Sequence, residues 1–467
     1  MDEPARNTGQ ARSRRERRCE TSVIILNVAG RDSQDDQKMP TCLRNAGLGG
    51  VKGMSDIVTR AKINEAAKRI RSVVPPTPTK ASHYLHSRTG QKVHLKLENL
   101  NISGSFKIRG AANALMQADA QTLKHGVIAA SAGNHAQGVA HICRRLGARA
   151  TIFMPERTPM VKSEETRALG AEIRFEGATY DDAYAAAVKF QAECGGVLVH
   201  PFADVAVICG QGTVALELLD QVPDIGMLIV PIGGGGLISG MACAIKEANP
   251  SIRIIGVQTA AYPSAKLSVE AGKIVPTGAA STIADGIAVK RPSELTFELI
   301  RRYVDDIVLV EEDAIAASVM DLMERDHLLA EGCGAVTSAA LLSMSSSQIE
   351  KVKGKAIVCV VSGGNIDVNL LAKISTRGLI YTGRMMRISV RLEDRPGKLA
   401  ELLNVVGASG ANLIEVQHNR AFGMTYFDQV VVDLDIETIN SEHQKKILGR
   451  LGEAKFVYTR IGPSSHG

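Results

Sequence analysis

Residues 227–248 read MLIVPIGGGGLISGMACAIKEA. Met227–Pro231 is apolar and strand-length, while Leu237–Ala248 carries the Ala, Leu and Ile pattern of a helix. Between them stand four consecutive glycines, Gly233 to Gly236. A bare backbone there can turn its N–H groups onto an anion without side-chain obstruction, and the helix that follows offers its positive end. The stretch is neither a GxGxxG fingerprint nor a P-loop, because no Gly-Lys-Ser/Thr follows. A phosphate cradle is the favoured reading; a plain hinge is the structural alternative.

The same alternation extends outward. Val93–Leu97, Gly126–Ala130, Ala150–Met154, Glu172–Phe175, Ile252–Gln258 and Ala356–Val361 read as buried strands. Ile108–Ala118, Ala136–Leu146, Val161–Leu169, Asp181–Glu193 and Gly212–Gln221 read as helices between them. Such order predicts an α/β fold with a parallel, helix-covered sheet, whose ligands bind at the carboxyl ends of the strands. After Thr376 the pattern changes. Met386–Leu392, Asn412–His418, Phe427–Leu434 and Lys455–Arg460 read as strands, and Pro396–Ala408 and Ser441–Leu451 as helices. That βαββαβ order is the ferredoxin-like unit. The expected organisation is an arm at 1–53 without periodicity, an α/β region at 54–376, a linker at 377–384 and a small domain at 385–467. Met54, followed by Ser55 and Asp56, looks like the start of the fold, before an amphipathic run from Ile57 to Ile70.

Composition narrows the function. Aromatic residues make up 4% of the 467 positions and Trp is absent, which disfavours stacking platforms for nucleic acid or glycan. A net charge of +6, from 55 basic and 49 acidic side chains, is too balanced for a surface dedicated to nucleic acid or membrane. The apolar runs fall short of the roughly 18–20 residues that a membrane helix needs. The eight cysteines form no CxxC pair, so the reading is reduced thiols in a cytoplasmic protein, with no metal site. The arginines at 12, 14, 15, 17 and 18 are interleaved with acids, which argues against a transit peptide.

Three further loops carry chemistry. In Ser103-Gly104-Ser105-Phe106-Lys107, the lysine opens a helix among apolar neighbours, which lowers an ammonium pKa and favours the free amine that Schiff-base chemistry needs. Ser131-Ala132-Gly133-Asn134-His135 follows a strand and opens a helix, so its N–H groups can grip an anion and Asn134 can donate to a phenolate-like oxygen. Ser362-Gly363-Gly364-Asn365 follows another strand and offers a neutral hydroxyl to a heteroaromatic nitrogen. Singly, a surface lysine, a helix cap and a turn would explain these three. Together with the glycines they meet the needs of one cofactor, pyridoxal 5′-phosphate.

At these residues the chain resembles the fold type II pyridoxal-phosphate enzymes, and among them the threonine dehydratases. The similarity runs over about residues 56 to 460. Its markers are PTPT from Pro76, KLEN from Lys96, SGSFKIRGA from Ser103, SAGNHAQG from Ser131, GQGT from Gly210, GGGGL from Gly233, ADGIAVKRP from Ala284 and SGGN from Ser362. The resemblance implies two α/β lobes, with Lys107 carrying the cofactor and later acting as base, and Phe106 packing on the ring. It assigns Asn134 to the ring 3′-oxygen, Gly233 to Gly236 with Leu237 to the phosphate, and Ser362 to the ring nitrogen. Ser131, Ala132, Gly133, Asn134 and His135 would hold the carboxylate of an amino-acid substrate. The expected reaction is loss of water and ammonia from threonine or serine. The C-terminal part resembles an ACT module, with an amino-acid effector expected near Arg395, Pro396, Gly397 and Asn412, and with assembly into a homodimer or homotetramer.

Serine racemases share this fold but use a hydroxyl where Ala132 stands, and recruit a metal through acids that Gln258–Ser264 lacks. A β-replacement enzyme of the cysteine-synthase type and an amino-acid-sensing protein without activity are the other readings weighed. Cys333, within Glu331-Gly332-Cys333-Gly334-Ala335, replaces a more usual Ala and is read as a packing change.

Overall fold

Residues 57–419 and 428–461 are described by the computed structural model. The expected arm and a start at Met54 lie outside the described residues. Among the described residues the first helix begins at Arg60, later than the amphipathic run suggested, because the Thr59 hydroxyl caps it by accepting from Lys62 N at 3.3 Å.

Ten strands build two sheets. β1 (Thr79–Ala81), β2 (Val93–Leu97), β7 (Ile225–Pro231), β8 (Arg253–Thr259), β9 (Asp306–Val310) and β10 (Ala356–Val361) make one, in the order β1-β2-β10-β7-β8-β9. Every pairing is parallel except β1 with β2. β3 (Val127–Ala130), β4 (Ala150–Met154), β5 (Glu172–Phe175) and β6 (Val197–Leu198) make a second, all-parallel sheet in the order β5-β4-β3-β6. The two lobes implied by the sequence are these two sheets with their helices. β7 and β10 are buried at every position, and one apolar cluster lies on each face of the large sheet. Strands sandwiched by helices read as continuous Val, Ile and Leu for this reason.

Strands β11 (Met385–Glu393), β12 (Asn412–Asn419), β13 (Gln429–Glu437) and β14 (Val457–Ile461) form a third, antiparallel sheet in the order β12-β13-β11-β14. Helices Lys398–Ala408 and Ser441–Glu453 complete the ferredoxin-like βαββαβ unit, and their apolar residues cover one face of the sheet. The sequence-based linker needs correction. Helix Val368–Tyr381 runs through Gly378, so positions 377–381 are its last turn and only Thr382 to Arg384 connect it to β11. Gly378 is there for packing, since a Cβ would lie 2.8 Å from Met320 Cγ on helix Glu312–Arg325. No described helix is long and apolar enough to cross a membrane.

Candidate active site

The four loops predicted to carry chemistry leave the carboxyl ends of β2, β3, β7 and β10, the places where open parallel sheets bind ligands. Two of them are stitched together. Phe106 N donates to Ser362 O at 3.1 Å and Gly364 N to Gly104 O at 2.9 Å, and Ser105 bridges Gly363. Lys107, the first residue of helix Lys107–Leu115, is thereby held beside the hydroxyl-bearing loop.

Lys107 Nζ donates to Pro201 O at 3.1 Å and lies 5.1 Å from the Phe106 ring centroid. Burial, the leading cause, lowers its pKa to about 8, with Cys333 and Glu331 opposing. A lysine held this way is readily the free amine.

The glycine loop fits an anion closely. Among the described residues, the N–H groups of Gly233, Gly234 and Gly235 donate to no protein acceptor, and helix Gly236–Ala248 starts directly after them. Gly235 has φ +90°, and a Cβ on Gly234 would meet the Phe202 ring at 2.2 Å. Glycine is therefore required at both places.

At Ser131 to His135 the structure divides the expected set. Gly133 N donates to Ser131 Oγ at 3.3 Å, and helix Asn134–Leu146 starts there, so first-turn N–H groups lie beside Ala132 and Gly133. The His135 side chain does not join them. It is buried with Nε2 2.9 Å from Val199 O, and burial followed by the charge of Lys107 lowers its pKa to about 3. His135 can serve the site through its backbone only. Asn134 donates to Glu331 Oε1 and accepts from Asn365 Nδ2, both at 2.8 Å. Ser362 Oγ donates to Cys333 O at 3.2 Å.

Sequence reading missed several groups here. Glu331, 7% exposed, meets Asn134; burial and then the charge of Asp285 push its pKa up to about 8. Phe202 packs against Gly234 and Gly236, and its ring meets His200 edge-on at 4.7 Å. His200 Nδ1 accepts from Phe202 N at 3.2 Å and Ala203 N at 2.8 Å, fixing the turn that presents Pro201 O to Lys107. The one available signal was the run His200-Pro201-Phe202, which begins two residues after the end of β6.

Residues 70–363 match the family described as pyridoxal-phosphate dependent enzyme. The chain belongs to that family. A buried amine without a carboxylate partner, unpaired N–H donors at a helix start and a buried hydroxyl suit the family's cofactor. An L-threonine ammonia-lyase of Thermotoga maritima is 45% identical over 391 residues, 84% of this chain and 96% of that one. The processed form of threonine deaminase isoform 2 from Solanum lycopersicum superposes with a TM-score of 0.66 at 35% identity, covering 71% of this chain and 90% of that one. Maize serine racemase does so with 0.65 at 36%, covering 69% and 98%.

The residues expected to hold an effector are not gathered together within the chain. Arg395 pairs with Glu393 past the end of β11, and Gly397 has φ +90° at the start of its helix. Asn412, bonded to Glu437 Oε2 at 3.0 Å, starts β12, and the register aligns it through Glu437 with Met385 at the opposite end of β11. At about 3.3 Å per residue, eight residues of strand separate the two ends by roughly 26 Å.

Proposed function

We propose that this enzyme is a threonine ammonia-lyase, converting L-threonine to 2-oxobutanoate and ammonia and accepting L-serine to give pyruvate. The observation that carries the reading is Lys107: a buried amine with a carbonyl partner in place of a counter-charge, between an anion grip and a glycine loop. The 45% identity to a threonine ammonia-lyase supports the choice of substrate.

Pyridoxal phosphate, when bound, supplies an aldehyde for the substrate amine and a conjugated ring that takes up the electron pair left by the α-proton. The N–H groups of Gly233 to Gly236 and Leu237 hold its phosphate, and Phe106 and Asn134 orient its ring. Lys107 Nζ, free as a neutral amine, takes the α-proton as general base. First-turn N–H groups at Ser131 to His135 fix the substrate carboxylate and so aim the α-hydrogen at Nζ. Ser362 offers a neutral hydroxyl, which leaves a ring nitrogen unprotonated and favours loss of the β-hydroxyl over transamination. Ala132 has no hydroxyl to return a proton to the opposite face, which disfavours racemisation.

The C-terminal domain reads as an ACT module that senses a branched-chain amino acid and assembles the chain into a homodimer or homotetramer. A cytoplasmic location goes with this reading, supported by free thiols at the six described cysteines. The test is turnover: purified holoenzyme should release 2-oxobutanoate and ammonia from L-threonine and yield no D-serine from L-serine. Absence of both 2-oxobutanoate and pyruvate would refute the lyase. Kinetics unaltered by isoleucine, by valine and by deletion of residues 385–467 would refute the regulatory part.

A further inference from the structure

Helix Gly332–Ser343 begins after Glu331, whose side chain does not cap it. An acid at a helix start gains by turning back onto the first free N–H groups, where the dipole also favours it. Glu331 turns the other way. Its Oε1 accepts from Asn134 Nδ2 at 2.8 Å, and among the described residues the buried carboxyl forms no ion pair. Burying a carboxyl against a neutral amide alone costs stability. No step of the proposed reaction uses the acid.

The neighbouring loops are shaped around this contact. A Cβ on Gly363 would lie 2.3 Å from Glu331 Oε1 and 3.2 Å from Asn134 Nδ2, so glycine there admits the carboxyl to the amide. The Glu331 backbone is tied to the same residue, since its N–H donates to Gly363 O at 3.1 Å. At the other end of the amide, Asn365 Nδ2 donates to Asn134 Oδ1 and to Ser103 O, both at 2.8 Å. A Cβ on Gly104 would lie 2.0 Å from Asn365 Oδ1, so that loop too leaves room for the side chain.

These partners fix which way the Asn134 amide faces. A backbone carbonyl only accepts, so the end of Asn365 at Ser103 O is its NH2 group. The same NH2 group meets Asn134, whose oxygen therefore points to Asn365 and whose own NH2 group faces Glu331. One of the two Asn134 hydrogens goes to the carboxyl, and the other stays free for a ligand. Turned over, the amide would set its NH2 group against that of Asn365 and show a ligand an oxygen in place of an N–H. We propose that Glu331 is a positioning residue. By accepting one Asn134 hydrogen it aims the other at the 3′-oxygen of the pyridoxal-phosphate ring, while Asn365 anchors the amide from behind. This deepens, and rests on, the reading of Asn134 as donor to that oxygen.

The experiment is isothermal titration calorimetry of the full-length apo-protein with pyridoxal 5′-phosphate and, separately, with 3-deoxypyridoxal 5′-phosphate, which lacks the ring oxygen. The readout is the ratio of the two affinities, compared between variants so that the intrinsic difference between the compounds cancels. The wild type should prefer pyridoxal phosphate, and Asn134→Ala should lower the ratio about tenfold. Glu331→Leu, of similar bulk, should lower it by a similar factor and add nothing in the Asn134→Ala background. Glu331→Gln keeps an accepting oxygen and should retain the wild-type ratio. A purely structural role would weaken both compounds alike. The positioning role is therefore overturned if Glu331→Leu keeps the wild-type ratio, if Glu331→Gln loses it, or if Glu331→Leu lowers it further without Asn134. A ratio unchanged in Asn134→Ala would overturn the reading of Asn134 itself, and the positioning with it. Should Glu331→Leu fail to fold by circular dichroism, Gly363→Ala decides: its Cβ crowds the same carboxyl, so the ratio should fall, and an unchanged ratio overturns the role.

Discussion

Lys107 and Arg109 stand two residues apart on one helix, about 200° around its axis. Their side chains therefore leave in different directions and meet different surroundings. Arg109, 1% exposed, donates to Glu98 Oε2 at 2.7 Å and to Glu217 Oε1 at 2.6 Å, while Lys96 Nζ reaches Glu217 Oε2 at 2.6 Å. Burial alone would lower the Arg109 pKa, but the two carboxylates hold it above its ordinary value. Burial, the largest single effect, pushes the Glu98 carboxyl up, but Arg109, Lys96 and Thr77 together hold it below its ordinary value. Lys107 has a carbonyl where Arg109 has carboxylates. One side of the helix is a closed ionic lock that fixes β2 and helix Val205–Gln221 in place; the other is an amine left free to react. Burial is common to both, and the partner decides which role follows.

The sharpest way to break this contrast is to remove each cation in turn. Lys107→Ala should lower threonine turnover by more than about 10⁴-fold, as loss of a reacting group does. It should cost far less stability than removing Arg109, because the group it leaves unpaired is a neutral carbonyl, Pro201 O, and not a buried carboxylate. Steady-state release of 2-oxobutanoate and urea unfolding of the apo-protein measure the two halves. Arg109→Ala should do the reverse in kind, costing about 3–5 kcal/mol of stability by leaving Glu98 buried and unpaired. A loss under about 1 kcal/mol in the same urea titration would mean that the network is not the lock described.

How far this contrast was visible in the sequence depends on contiguity. The lysine loop, the SAGNH turn and the tetraglycine are each a single run beside a strand, so residue types and spacing were enough to single them out. The pairing of Asn134 with Glu331 and Asn365 spans 197 and 231 positions, and a single sequence holds no trace of it. Helix Gly332–Ser343 is buried almost throughout, so the period that marks a half-exposed helix is missing. β9 is an edge strand with a broken burial pattern, and it too escaped. In helix Val368–Tyr381 a glycine chosen for close approach to Met320 looked like a chain break. Asn412 and Arg395 belong to one expected effector set by motif, yet strand register puts them at opposite ends of a sheet.

Glu331 tests whether an acid can be left unpaired as Lys107 is. Its folded pKa, about 8, lies above the ordinary 4.5, so the folded protein binds the extra proton between these values. The stability this proton confers is fully present below pH 4.5 and is lost as pH rises through about 8. Apo-protein should therefore lose on the order of 3 kcal/mol relative to Glu331→Gln across that window. Parallel unfolding curves for the two proteins at pH 5 and pH 8.5 would show instead that Glu331 is ionised in the fold at both.

The smallest effect belongs to the glycine loop, where unpaired backbone donors stand in the place that the amine holds on Lys107. A Cβ on Gly234 would lie 2.2 Å from the Phe202 ring, and that ring is braced edge-on against His200. Gly234→Ala must therefore displace either the ring or the loop, at a cost of about 1–3 kcal/mol. If the loop moves, its N–H groups lose their common aim, and pyridoxal phosphate should bind about tenfold more weakly in a fluorescence titration of the apo-protein. Removing the obstacle distinguishes the two cases. Gly234→Ala combined with Phe202→Ala should regain most of the lost affinity if the clash is what moves the donors. An unrestored double variant would mean that the loop needs the backbone freedom of glycine at 234 itself, independent of its neighbour.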